Sequence, residues 1–90
     1  MDYIKILGLV AAALTTCANV PQAVKIIRTK STESISTATY ALLLSGFIAW
    51  LIYGIYNDDL PIILANAISA VLAAIILVIK LSAKKKENQD

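Results

Sequence analysis

The chain has 90 residues, 59% of them hydrophobic, with 16% charged and a formal net charge of +2. A water-soluble domain of this size keeps about a third of its unfolded surface in contact with solvent, so it has no interior large enough for so many apolar side chains. There is no histidine, which excludes an imidazole metal site or proton relay, and the single Cys17 has no partner for an internal disulfide. No stretch resembles a nucleotide-binding loop or a nucleophile–base pair, so neither an enzyme, a cofactor, a metal nor a nucleic-acid partner is expected.

Charge is missing from three stretches, Ile6 to Val24, Ser34 to Asn57 and Leu60 to Ile79. Each is about 20 residues long, the length that crosses the hydrocarbon of a bilayer as a helix. In lipid a helix satisfies its own backbone without a sheet edge, which makes the expected fold an all-α membrane protein. The expected helices run over 4–27, 37–56 and 61–81. They form one three-helix transmembrane unit over 1–83, followed by a disordered basic and polar tail at 84–90, whose lysines read more economically as a topology anchor than as contacts to anionic lipid headgroups.

The first helix resembles a secretion signal, but Asp2 offsets Lys5 ahead of it and Thr16 stands where a lipoprotein box needs a Gly or Ala before Cys17. It is therefore read as a retained span, with Cys17 as a buried small residue. Thr15, Asn19 and Gln22 fall on one helical face of an otherwise apolar segment. Pro21 removes a backbone hydrogen bond and crowds the preceding turn, so it bends the helix near its second end. Gln22 beside it is able to bond the carbonyl so freed, an arrangement that suits a hinge as well as a static kink.

The Ser- and Thr-rich loop from Thr29 to Ser36 reads as a turn ending in a cap for the second helix. In that helix Trp50, Tyr53 and Asn57 share a face. Trp50 lies seven residues before Asn57, about 10 Å into the hydrocarbon by helical rise. That is deeper than a tryptophan that merely anchors a helix at the interface.

Asn57-Asp58-Asp59-Leu60-Pro61 is a tight turn, with Pro61 in the first turn of the third helix and acidic groups at its positive end. The second and third helices must form a hairpin. Asp59, Ile62, Asn66, Ser69 and Ala73 share a face of the third helix, and Asn66 lies at nearly the depth of Trp50. An amide level with a large aromatic ring suits a neutral polyhydroxyl ligand, which needs hydrogen bonds at its edge and stacking on its apolar face. An asparagine also serves as glue between membrane helices. Sparse polar stripes on all three helices are most simply explained by a water-filled path.

Lys25, Arg28, Lys30, Lys80, Lys84, Lys85 and Lys86 gather at one end and Lys5 stands alone at the other. The positive-inside rule then places the N-terminus outside and the C-terminus in the cytoplasm of a bacterial inner membrane. No carboxylate lies inside a span, which argues against proton-coupled export. Three helices in close contact enclose no channel, so the polar stripes need a partner, and a two-fold axis gives each a copy of itself.

Asn19-Val20-Pro21-Gln22 resembles the PQ-loop motif, and with Trp50, Asn66 and the three-span length the chain up to Leu81 resembles a bacterial SemiSWEET sugar transporter. The resemblance implies a parallel homodimer of six helices in the lipid bilayer with a sugar path on its dyad. It further implies Trp50 and Asn66 as the sugar-holding residues and Pro21, with Gln22, as the inner hinge. Such a protein is a passive uniporter of mono- or disaccharides that works by alternating access. The family's outer gate pairs a Tyr with an Arg and an Asp. Tyr53 and Asp59 match, but Asn57 stands in place of the Arg, leaving neutral hydrogen bonds to close it. Thr15, Asn19 and Ser69 are expected to line the path. The rival readings are a non-transporting receptor for a peptide or cargo, a hole-forming oligomer, and a PQ-loop amino-acid transporter.

Overall fold

The structure, a computed structural model, describes residues 3–89, with side chains described for 3–83; Met1, Asp2 and Asp90 lie outside it. It consists of α1 (Tyr3–Thr29), α2 (Thr37–Tyr56) and α3 (Leu60–Gln89), each long and apolar enough to cross a membrane. The spans fall where the uncharged stretches put them, and α2 has the expected ends.

The third helix does not stop near Leu81. It continues to Gln89, so the tail expected to be disordered from 84 is helical up to that residue. No Gly or Pro interrupts the segment, and Ala, Lys, Glu and Gln are good helix formers, so nothing in the chain ends the helix earlier. Its membrane-crossing part is Leu60–Ala83. α1 likewise extends beyond 4–27 at both ends and runs through Pro21 as one helix.

The order in space is α1, α3, α2. The third helix packs against both others, and α1 and α2 do not pack against each other. The result is a flattened three-helix unit measuring 58 × 24 × 14 Å. Small residues let α3 sit in the middle: Ala65, Ala67, Ser69, Ala70, Ala73 and Ala74 allow neighbours on two sides to approach closely. Among the described residues, the buried positions on the helices are Gly54 on α2 and Pro61, Ala73 and Ile76 on α3. Most remaining apolar side chains face outward, as a layer bathed in lipid requires.

Cys17 is exposed, contrary to the sequence expectation. Gly8, Ala12 and Thr16 border clefts beside α3, and Cys17, one residue past Thr16, is turned about 100° away from that face.

Candidate functional site

The α2–α3 turn is fixed by its own hydrogen bonds. Asp58 has a φ of 50°, the left-handed conformation that Asp tolerates, while its N–H reaches the Ile55 carbonyl at 3.3 Å and the Asp59 N–H reaches Gly54 at 2.9 Å. This pair of bonds is the Schellman closure of a helix C-terminus. The next residue opens α3. Asp59 Oδ1 accepts from the Ile62 N–H at 3.3 Å, an N-cap placed at the positive end of the helix dipole. Pro61, within that first turn, has no N–H to leave unsatisfied.

Gly54 brings the two helices together just below the turn. A Cβ added there would lie 2.8 Å from Ile62 Cγ2, closer than any real contact, so only glycine permits this approach. The contact fixes the register of the antiparallel pair. Trp50 is four residues below Gly54 and Asn66 four residues beyond Ile62, so both lie about 6 Å further from the turn, at matching depth.

Among the described residues, two clefts are bordered by more than one helix. The cleft at the turn end, about 480 Å³, is bordered by Lys5, Gly8 and Ala12 of α1, the turn residues Asn57, Asp58 and Asp59, and Ile62, Ala65 and Asn66 of α3. Asn66 Nδ2 donates to its own helix at the Ile62 carbonyl, 2.9 Å away. Its amide has a second N–H and an oxygen to offer a ligand. Asn57 does not reach across the cleft. Its Nδ2 donates to the Tyr53 carbonyl at 2.9 Å, folding the side chain onto the last turn of α2.

The cleft at the loop end, about 300 Å³, lies between all three helices and is bordered by Asn19 and Gln22, by Tyr40, Leu43 and Phe47, and by Ser69, Ala73 and Ile76. Asn19, Gln22 and Ser69, expected from their spacing, thus come together. Thr15 and Pro21 border neither cleft, and Thr16 takes the place expected for Thr15.

Trp50 and Tyr53 also lie outside both clefts of the single chain. Each is 54% exposed, and their rings pack edge to face with centroids 5.5 Å apart at 83°. They continue the helical face of Tyr40, Leu43 and Phe47, which borders the loop-end cleft. That face presents aromatic surface along most of α2. Tyr40 and Phe47 went unremarked in the sequence, although their spacing of seven from one another and of three from Phe47 to Trp50 marks one face.

At the loop end the connection between α1 and α2 passes α3, which lies between them. Lys30, with a φ of 55°, ends α1, and Ser36 Oγ accepts from the Thr39 N–H at 3.2 Å to cap α2. Thr32 between them is buried, and its carbonyl accepts from Lys80 Nζ of α3 at 2.8 Å.

Known proteins resemble this arrangement throughout. Residues 3–63 match the family described as PQ loop repeat. The chain is 44% identical over 88 residues to a protein of Escherichia coli named Sugar transporter SemiSWEET, covering 98% of this chain and 99% of that protein. A protein of the same name from Bradyrhizobium diazoefficiens is 42% identical over 78 residues, covering 87% of this chain and 91% of that one. Among solved structures, a SemiSWEET in the inward-open conformation superposes with a TM-score of 0.92 at 44% identity, covering 98% of this chain and 95% of that one. With the PQ-loop match and relatives of this identity along nearly its whole length, the chain belongs to the SemiSWEET family of PQ-loop proteins.

Proposed function

We propose that the protein is a passive sugar transporter, a parallel homodimer working by alternating access, with the N-terminus outside and the C-terminus in the cytoplasm. The observation that carries this reading is the full-length likeness to proteins named sugar transporters, joined to an amide, Asn66, that borders an open cleft at the depth of Trp50. Sugar binds between the Trp50 rings and Asn66 amides of the two subunits. A flattened three-helix unit with clefts along it encloses a path only when a second copy faces it, and a two-fold axis supplies that copy.

The turn end, with Tyr53, Asn57 and Asp59, is the outer gate. Pro21 hinges the inner half of α1: its missing N–H frees the carbonyl four residues back, at Cys17, and makes the helix easier to bend there. Gln22, bordering the inner cleft with Asn19 and Ser69, lines the route to the cytoplasm. No carboxylate lies within a span, so the sugar moves down its own gradient.

Counterflow of labelled glucose and sucrose in proteoliposomes tests the reading. Uptake against preloaded unlabelled sugar, without ion leak, is expected. Binding without movement would indicate a receptor, and leak of ions would indicate a hole-former. Either result would overturn the transporter reading.

A further inference from the structure

The turn-end cleft carries both signs of charge. Lys5 is the one cation, and Asp58 and Asp59 are the anions, among the described residues that border either cleft. α1 meets α3 at Gly8, where an added Cβ would lie 3.4 Å from Pro61 Cγ. Lys5 lies one helical turn before Gly8, on the same face of α1. Asp59 lies two residues before Pro61. The ammonium, on its four-carbon stem, and the two carboxylates therefore stand at the same level on opposite sides of one opening. Topology gives no reason for a lysine at this end, since the positive-inside rule favours its absence there. Asn57, meanwhile, has one amide N–H committed to the Tyr53 carbonyl of its own helix.

We propose that Lys5 is the cation of the outer gate: when the outer end closes, its ammonium pairs with the Asp58–Asp59 carboxylates and draws the start of α1 over the cleft that leads to Asn66. This proposal rests on the transport reading, whose outer gate it completes. Lys5 thereby sets how often the outer end stands open.

The test measures the reaction of a cysteine in the cleft wall, Ala65→Cys in a Cys17→Ser background, with a membrane-impermeant maleimide in proteoliposomes. Only molecules whose turn end faces the bath react, and the rate of that fraction is read. Lys5→Gln should raise the rate about two- to fivefold, the scale of a half-exposed ion pair. The paired change Asp58→Asn with Asp59→Asn should do the same, since Asn keeps the left-handed turn residue and the cap. Combining all three should add nothing further, and about 1 M salt should bring the wild-type rate up to that of the variants. An unchanged rate in Lys5→Gln, or effects that multiply, would overturn the proposal. Sugar counterflow in the same vesicles separates the two readings. Failure of the wild type to exchange sugar counts against transport, whereas exchange with a Lys5-independent labelling rate counts against Lys5 alone.

Discussion

Lys80 Nζ donates to the carbonyl of Thr32 at 2.8 Å, joining α3 near the end of its membrane-crossing part to the loop beside it. Thr32 is 2% exposed, and its carbonyl also accepts from the Ile35 N–H at 3.1 Å. One oxygen thus holds the loop's turn and ties it to the third helix. Lys80→Met keeps the stem and removes the donor, so it should cost about 1–2 kcal/mol. Faster amide exchange at Thr32 and Ile35 would show it, and unchanged exchange would mean the loop is held by its own turn.

The three glycines should respond differently to alanine. Gly54→Ala forces a Cβ against Ile62 at 2.8 Å and should destabilise the hairpin by about 1–3 kcal/mol. Gly8→Ala meets Pro61 at 3.4 Å and should be nearly neutral, while nothing lies within 4 Å of Gly46. Gly46→Ala should therefore gain up to about 1 kcal/mol of helix propensity. Equilibrium unfolding in mixed micelles gives the order, and a Gly54→Ala protein as stable as the parent would remove the close α2–α3 approach.

Pro21→Ala should restore the backbone bond to the Cys17 carbonyl and stiffen the inner half of α1. Sugar binding, read by tryptophan fluorescence or calorimetry, should persist while exchange of labelled sugar slows severalfold. Equal exchange would make the proline a static kink and move the gating to Tyr53, Asn57 and Asp59.

The spans, the hairpin and the cap of α2 were legible because lipid demands long uncharged helices and turn chemistry is local. Ser36 caps α2 as the Ser- and Thr-rich loop suggests, and Asp59, expected as a charge at the positive end of α3, also caps that helix. The order α1–α3–α2 was not legible. In lipid an apolar side chain is equally suited to a neighbouring helix or an acyl chain, so periodicity does not say which face is packed. For the same reason Cys17 was expected inside and lies outside. Polar spacing did better, since it brought Asn19, Gln22 and Ser69 to one cleft and Asn57, Asp59 and Asn66 to the other. The expectation that Trp50 and Asn66 lie level agrees with the Gly54–Ile62 register, but one chain leaves the Trp50 ring outside both clefts. Lys80 read as a topology charge, because its partner is a backbone carbonyl and carries no sequence signature.

If Asn66 holds the sugar, sugar counterflow by Asn66→Ala in proteoliposomes should reveal it. Exchange should fall to the rate of protein-free vesicles while the purified variant still elutes as a dimer. Exchange at the wild-type rate would contradict it, and loss of exchange together with loss of the dimer would make Asn66 glue between helices instead.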